Sequence, residues 1–343
     1  MALLLLLRRP LLPPRNLAPD NFAMRIFRGF AHPELASACA LTIGNFDGVH
    51  RGHQAMLALL TSEARHRGLA SCVTTFEPHP RDYFARRAGT PDAAPARVGT
   101  LRDKMAELQR CGIDQVVVLR FTQRFAAQAP QAFIDDVLLA GLNARYVLVG
   151  DDFRFGARRA GDYAMLDAAG QDSGFDVARM LSYEVHGLRV SSSAVREALA
   201  AGDMARAAAL LGRPYSISGH VVQGRRLGRE LGFRTLNLRF GHAKPAAHGI
   251  FVVRVHGLID QALPGVASLG VRPSIEDAGR VLLETHCLDW PAGLGAEAGY
   301  GRVLRVELLH KLHDELKYDS LQALRDGIER DVVDARDWFA ERR

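Results

Sequence analysis

Residues 42–53 read TIGNFDGVHRGH, and this stretch decides the fold of the first half of the chain. An apolar run at 40–44 precedes the glycines and an amphipathic stretch at 54–66 follows them, which predicts a buried strand, a tight turn and a helix. Free N–H groups at a helix start attract anions, and Gly52 lets the backbone approach one closely. His50 and His53 are spaced to hydrogen-bond one phosphoryl group. The alternatives are an exposed helix start or a metal site, although metal-binding pairs on helices more often lie four residues apart.

Short apolar runs alternate with amphipathic stretches along the rest of the first half. This alternation predicts a doubly wound parallel sheet, whose ligands bind at the carboxyl ends of the strands. The predicted strands are 40–44, 71–76, 115–121, 145–150 and 176–181, and the predicted helices are 54–66, 101–111, 130–142 and 192–201. The segment 86–98, rich in Ala, Pro, Gly and Arg, is predicted to be a mobile loop.

The pattern changes after residue 214, because strand-like segments now follow one another. They predict a small antiparallel barrel with strands at 215–222, 235–240, 249–257, 265–270, 281–288 and 302–309. One helix closes the chain, with Asp319 and Gln322 as a capping box. Its apolar face is predicted to hold Leu321, Leu324, Ile328, Ala335 and Phe339. We expect the domain boundary near 212–215.

Composition excludes several classes of protein. The chain has 343 residues, 48% hydrophobic and 24% charged, which fits a folded two-domain protein and neither a disordered nor a polytopic membrane protein. The net charge of +6 invites a nucleic-acid hypothesis, but the aromatic fraction is 7% and no long basic run occurs, so small phosphorylated ligands are preferred. The four cysteines lack zinc-site spacing and are predicted to be reduced, mostly core thiols.

Residues 1–23 contain an apolar run at 3–7 that is far shorter than the roughly 20 residues of a membrane span. We interpret them as a disordered leader or a mis-assigned start, with the folded chain beginning at Met24. A targeting segment is the alternative.

Three further segments hold candidate binding groups: one begins a predicted helix, and two follow predicted strands. At 191–196, SSSAVR places hydroxyls at a helix start and a forked guanidinium, Arg196, nearby; a serine-rich cap with a surface arginine is the alternative. The segments 75–80 and 150–156 set aromatic rings among polar groups, which suits a planar heteroaromatic ligand. Core aromatics are the alternative.

A basic, glycine-containing loop opens the second half. Residues 213–240 hold six arginines and one acid, Glu230. Backbone amides of such loops can bind phosphates, and the oxygens of Thr235 and Asn237 suit Mg²⁺. A solvated basic hairpin is an equally good interpretation of this spacing.

Taken together, these motifs resemble the bifunctional bacterial riboflavin kinase/FAD synthetase family over about residues 25–340. The matching stretches are TIGNFDGVHRGH (42–53), FEPHP (76–80), GDDFRFG (150–156), SSSAVR (191–196), GRELGF (228–233), GIF (249–251), GVASLG (265–270), RPS (272–274) and LETHCLD (283–289). The resemblance implies a Rossmann-like nucleotidyltransferase domain at 24–212 and a riboflavin kinase barrel with a C-terminal helix at 213–343. Its reactions would convert riboflavin and ATP to FMN, then FMN and ATP to FAD and pyrophosphate, with Mg²⁺ as cofactor.

The resemblance also implies roles for individual residues. His50, His53 and Glu284 would be catalytic, the last as the general base of the kinase. Thr235 and Asn237 would hold Mg²⁺. The nucleotide would lie against Gly44, Phe46, Asp47, Gly52, Ser191, Ser192, Arg196, Gly224 and Gly228, and the flavin against Phe76, Pro78, Asp152, Phe153 and Phe155.

The chain departs from the family pattern at Arg234, Leu236, Val271 and His313. Arg234 replaces a rigid turn proline, which would loosen the metal-binding turn without removing a ligand. One alternative is therefore a monofunctional FAD synthetase with an impaired barrel, and another is a non-catalytic RNA-binding protein. We expect a cytoplasmic monomer or weak homo-oligomer with no nucleic-acid or membrane partner.

Overall fold

A computed structural model describes residues 24–342 except 36, 182, 186–187, 225–231, 241–243, 272–280 and 296. The predicted leader at 1–23, the nucleotide-binding residue Gly228 and the RPS motif at 272–274 lie outside the described residues.

Six strands of the first half form one parallel sheet in the order β1-β4-β3-β2-β5-β6. They are β1 (Arg25–Arg28), β2 (Cys39–Ile43), β3 (Ala70–Glu77), β4 (Gln115–Arg120), β5 (Ala144–Gly150) and β6 (Asp176–Met180). The run β2, β3, β4 extends to one side of β2 and β5 lies on the other, so the strand order reverses between β2 and β5. Such a reversal opens a crevice at the carboxyl ends of the strands, where ligands of doubly wound sheets bind.

Helices connect the strands, as the alternating pattern predicts. They are α1 (Arg51–Arg67), α2 (Pro80–Arg87), α3 (Leu101–Arg110), α4 (Gln123–Ala126), α5 (Pro130–Ala132), α6 (Tyr163–Ser173), α7 (Ser192–Ala200) and α8 (Met204–Leu211). Residues Phe133–Gly141 continue α5 as a π-helix, short 3₁₀ turns lie at Pro33–Leu35, Pro91–Ala93 and Ala157–Arg159, and a small hairpin pairs β7 (Glu184–Val185) with β8 (Leu188–Arg189).

Six antiparallel strands of the second half close into a barrel in the order β10-β13-β12-β11-β14-β9. Alternate side chains of β10, such as Leu236 and Leu238, are buried in the apolar core, so Thr235 and Asn237 lie on the other face. The strands are β9 (Tyr215–Val222), β10 (Thr235–Arg239), β11 (Gly249–His256), β12 (Leu263–Val271), β13 (Val281–Cys287) and β14 (Val303–His313).

The C-terminal helix α9 (Leu321–Ala340) packs on the barrel through Ala335 and its neighbours. Two details of its prediction are wrong. Ser320 is the N-cap, since its hydroxyl accepts a hydrogen bond from the Ala323 N–H at 3.1 Å, and not Asp319. Leu321 is exposed, because the helix begins there and its first turn extends beyond the barrel surface.

The two halves share an apolar core, in which α8 packs against β9 and β14 of the barrel and α7 packs against α8. The helix α8 ends at Leu211 and β9 begins at Tyr215. Val98 joins this core, and Arg97 beside it is also buried, so the prediction of a mobile loop at 86–98 is wrong for its last residues. The prediction of core thiols is confirmed for three of the four free cysteines: Cys39, Cys72 and Cys287.

Across the described ranges, no helix combines the length and the apolar character that crossing a membrane requires.

Candidate functional site

A cavity of about 950 Å³ opens at the carboxyl ends of β2, β3 and β5. It lies at the crevice that the reversed strand order creates, as predicted for a doubly wound sheet. Its wall brings together Gly44, Phe46, Asp47, His50, Gly52, His53, Phe76, Asp152, Phe153, Phe155, Ser191, Ser192 and Arg196. Pro78 is not part of this wall, although its neighbours Phe76 and His79 are.

The turn between β2 and α1 is held in a strained backbone conformation. Phe46 (φ 47°), Gly48 (φ 84°) and Val49 (φ 41°) all lie in the left-handed region, which is rare for a β-branched residue such as Val49. Two side chains fix the turn: Gln54 Nε2 donates to the Val49 carbonyl at 2.8 Å, and Arg213 donates to the Gly48 carbonyl at 2.8 Å. The turn is therefore rigid before any ligand binds.

His50 caps α1, and its ring stacks on that of His53 with centroids 3.6 Å apart. Nδ1 of His50 accepts a hydrogen bond from the His53 backbone N–H at 3.3 Å. Burial lowers the pKa of His50 to about 4, although the nearby Asp47 carboxylate opposes this shift. The ring is thus neutral at pH 7, and because Nδ1 accepts a hydrogen bond, its single proton is on Nε2.

His53 completes this pair. Burial lowers its pKa well below the ordinary range, and the neighbouring His50 and Lys104 act in the same direction. Its Nδ1 is buried without a hydrogen-bond partner among the described residues. A buried polar atom without a partner is costly, and in a cavity wall it indicates a position where a ligand completes the bonding.

Arg196 and Asp47 form the main ion pair of the cavity. Arg196 donates from one Nη to Asp47 at 2.6 Å and from Nε to the Ala96 carbonyl at 2.6 Å. Asp47 is buried and also accepts from the Val98 N–H, so its carboxylate orients Arg196 and is not itself open to an anion. Ser191 caps α7 by accepting from the Ala194 N–H at 3.2 Å, as predicted.

Aromatic rings form the far side of the cavity. Phe76 lies 5.9 Å from Phe121 and 5.7 Å from Phe125, while the rings of Phe153 and Phe155 stack at 5.5 Å. Asp152 is exposed at the rim. This wall of rings with a carboxylate at its edge suits a planar heteroaromatic ligand.

Several residues of the wall were not identified as site residues in the sequence analysis, among them Phe121, Phe125 and His79. Phe121 directly follows β4, and Phe125 lies one turn later. An aromatic residue directly after a predicted strand could therefore have been identified as a candidate wall residue. His79 caps α2 by accepting from the Arg81 N–H at 3.1 Å, and burial, with Arg97 nearby, lowers its pKa to about 3. No local pattern separates such a capping histidine from a surface one.

A second group of predicted site residues lies on the barrel. Asn237 on β10 lies directly opposite Glu284 on β13, so both side chains lie on the same face of the sheet. Thr235, two residues before Asn237, shares that face. Thr and Asn oxygens are hard donors of the kind that bind Mg²⁺.

The surroundings of Asn237 fit a bound cation. Asn237 is buried, and its Oδ1 has no hydrogen-bond partner in the described part of the chain. Gly224 follows β9 and lies so close that a Cβ there would stand 2.5 Å from the Asn237 amide nitrogen. The described residues contain no cluster of three or more His, Cys, Asp or Glu that would form another metal site.

The described residues at which the chain departs from the family pattern make specific contacts in the structure. The Arg234 guanidinium lies 4.5 Å from the centre of the Trp290 ring, and the Arg234 carbonyl lies 2.8 Å from Nδ1 of His286. Leu236 is buried in the barrel core. His313 bonds Asp331 at 2.8 Å. Burial alone would lower the pKa of His313, but the bond to Asp331, the bond to the Asp314 carbonyl and the nearby carboxylates together raise it. The side chain of Val271 lies outside the described residues.

Comparison with known proteins agrees with this two-part arrangement. A family model described as FAD synthetase matches residues 32–194, and one described as riboflavin kinase matches residues 211–339. A curated Escherichia coli (strain K12) protein named bifunctional riboflavin kinase/FMN adenylyltransferase is 44% identical, over 92% of this chain and 98% of its own length. A Pseudomonas fluorescens protein of the same name is 43% identical, over 91% of this chain and 97% of its own.

A crystal structure from Streptococcus pneumoniae, described as a macrolide-efflux protein, is also similar. It has a TM-score of 0.72 and 26% identity, covering 92% of this chain and 99% of that one. Because the likeness spans both halves, it supports the two-part fold.

Both domain models and the curated relatives favour the two-domain enzyme over the two alternatives, a one-step synthetase or a binding protein without catalysis. The chain belongs to the family of bifunctional riboflavin kinase/FMN adenylyltransferases.

Proposed function

We propose that the parallel-sheet half, residues 24–212, transfers AMP from ATP to FMN, and that the barrel half, residues 213–343, phosphorylates riboflavin. The second reaction supplies the substrate of the first. The observation that carries the proposal is the stacked, neutral His50 and His53 pair at the start of α1, in the crevice between β2 and β5.

In the adenylyl transfer, a phosphate oxygen of FMN attacks the α-phosphorus of ATP. The new O–P bond forms as the bond to the bridging oxygen breaks, and pyrophosphate leaves. The neutral His50 ring donates a hydrogen bond from its Nε2–H group to the α-phosphate. Negative charge develops there in the transition state. His53 has a buried ring nitrogen without a described partner and would provide a second contact.

The remaining cavity residues position the two substrates. The Ser191 hydroxyl and the Arg196 guanidinium would hold the triphosphate at the start of α7, aided by the N–H groups of that helix end. Ser192, whose hydroxyl donates to the Asp47 carbonyl at 2.9 Å, would contribute by fixing this helix start to the turn after β2. Phe76, Phe153 and Phe155 would stack against the flavin, with Asp152 at its polar edge. Such positioning converts a reaction between two polyanions into one within a single complex.

In the barrel, Glu284 accepts the proton of the riboflavin 5′-hydroxyl as its oxygen attacks the γ-phosphorus of ATP. Its position opposite Asn237 supports this role. Thr235 and Asn237 would hold Mg²⁺, which when bound neutralises phosphate charge. Gly224 and Gly228 would lie along the nucleotide.

The expected setting of the enzyme is the cytoplasm, as a monomer or weak homo-oligomer without a nucleic-acid or membrane partner. Three basic residues of the chain are unavailable to an external polyanion, since Arg97 and Lys104 are buried in the fold and Arg196 lies inside the cavity. They do not form an external basic surface.

A chromatographic time course with purified protein and excess Mg-ATP tests the proposal. FAD formed from both riboflavin and FMN is the expected result. FAD formed from FMN alone would leave a one-step synthetase, and absence of any new flavin would contradict the enzymatic assignment. Omission of Mg²⁺, with a chelator present, is expected to stop FMN formation.

A further inference from the structure

Three consecutive residues, Ala96–Val98, bond to separate parts of the molecule. The Ala96 carbonyl accepts from Arg196 Nε at 2.6 Å, and the Val98 N–H donates to the Asp47 carboxylate at 3.2 Å. The N–H of Arg97 donates to the Lys244 carbonyl at 2.8 Å, in the connection between β10 and β11. This segment therefore joins the Asp47–Arg196 pair to the barrel.

The Arg97 side chain lies among three carboxylates. Its guanidinium is 2.9 Å from Asp82, 3.6 Å from Glu77 and 3.9 Å from Asp47. Only 5% of Arg97 is exposed, and it is not part of the cavity wall. Arg97 thus cannot bind a substrate in this arrangement, although it contacts the groups behind the wall.

Asp47 is shared by two guanidinium groups. It lies 2.6 Å from Arg196, whose side chain is in the cavity wall, and 3.9 Å from Arg97 behind it. The Val98 N–H donates to the Asp47 carboxylate at 3.3 Å, and neither Val98 nor Arg97 is part of the cavity wall, so both act on Asp47 without contacting the cavity. Without Arg97, the Asp47 carboxylate would lose one of its two neighbouring cations and would be restrained by the Val98 N–H and by Arg196 alone.

We infer that Arg97 is a positioning residue for adenylyl transfer: it holds Asp47, and through Asp47 it sets the direction of Arg196 toward the triphosphate. This inference rests on the proposed function of the cavity. It assigns a role to a residue that touches no substrate and that lies in a segment expected to be a mobile loop.

The central test compares Arg97→Met, Arg97→Lys and the exposed control Arg65→Met. For Arg97→Met we expect the KM for ATP in FAD formation to rise about twofold to thirtyfold, the range for a change passed on through a packed network, because Arg97 acts through Asp47 by charge at 3.9 Å and not by a hydrogen bond. The same protein should retain FMN formation within about twofold, because the barrel site is intact. Arg97→Lys keeps the charge without the forked geometry and should recover part of the loss.

A double variant separates positioning from simple charge imbalance. Arg97→Met leaves carboxylates without their cation, whereas Arg97→Met with Asp82→Asn restores the net charge of the cluster. If Arg97 acts by positioning Asp47, the KM for ATP stays raised in the double variant even when the melting temperature recovers. Full recovery of the KM would show that only charge balance mattered and would overturn the inference.

Other outcomes are equally informative. An unchanged KM for ATP in Arg97→Met, measured on an active enzyme, contradicts the inference alone. Parallel loss of both activities and of stability in all Arg97 variants, the double variant included, indicates a structural role and also contradicts it. Absence of FAD formation by the unmodified enzyme would instead contradict the proposed function itself.

Discussion

Asn237 on β10 and Glu284 on β13 lie directly opposite one another in the antiparallel pairing of the barrel. The register thereby brings a buried amide oxygen without a described partner and a carboxylate to the same face. This relationship links the proposed metal-binding and proton-accepting groups of the kinase.

Glu284→Gln is expected to lower FMN formation about a hundredfold or more, because the amide cannot accept the 5′-hydroxyl proton. FAD formation from added FMN should be unchanged. Separate assays from riboflavin and from FMN measure the two effects, with the exposed Glu329→Gln as the control. A kinase rate close to that of the unmodified enzyme would exclude Glu284 as the base.

His50→Asn is expected to lower FAD formation about a hundredfold to a thousandfold, as for the loss of a donor to developing charge. Asparagine is a good N-cap, so the substitution separates catalysis from capping, and the melting temperature should change little. FMN formation should persist. The matched control is His66→Asn, which changes an exposed histidine on the same helix. Unchanged FAD formation in His50→Asn would show that His50 has no catalytic role.

The low pKa values of His50 and His79 predict how stability depends on pH. Between pH 6.5 and about 4, the unfolded chain binds protons at these positions and the folded chain does not. The free energy of unfolding should therefore fall as the pH falls through this window, with His50 contributing on the order of 3 kcal/mol.

Denaturant titrations at pH 7 and pH 4.5 measure this dependence. His50→Asn should make the pH dependence weaker, whereas His66→Asn should leave it unaltered. FAD formation should also show no loss of rate near pH 6.5 from His50, since the folded ring stays neutral there. Equal pH dependence in both variants would show that His50 titrates normally in the folded protein.

The contact between Arg234 and Trp290 predicts the outcome of a third substitution. Trp290→Leu removes the ring that lies under the Arg234 guanidinium. The cation–π contact that is lost contributes about 0.5–1 kcal/mol at a site open to solvent. The substitution should loosen the turn before Thr235 and thereby slow FMN formation severalfold. Adding Arg234→Pro fixes the backbone at 234 by another route and should restore the rate. If Trp290→Leu leaves FMN formation unaltered, Arg234 does not order this turn.

The sequence predicts the parts of the site that depend on local pattern. The turn from β2 to α1 carries its glycines, its histidines and its helix within 25 residues, so strand, turn and helix were all predictable, although the role of His50 as the N-cap was not predicted. The same holds for the cap at Ser191 and for the antiparallel strands of the barrel. The alternation of strands and helices predicted the doubly wound parallel sheet, whereas the order of its strands comes from the structure alone.

Contacts between distant residues were not predictable. Arg196 and Asp47 are separated by 149 positions, and no local pattern relates them. Arg97 looks like a loop arginine in the sequence, yet it is buried because three carboxylates surround it. The cap of α9 was misplaced by one residue, since Asp319 and Ser320 are both good capping residues and the sequence does not distinguish them.

The position of Arg213 affects whether the two activities could be separated into two proteins. It lies past the end of α8, and its guanidinium donates to the carbonyls of Gly48 and Val49 in the turn that carries His50. A gene split at this boundary would give the barrel the arginine and leave the histidine turn without it. Separation of the two halves into independent proteins would therefore require a substitute for Arg213, in addition to a cover for the apolar core that they share.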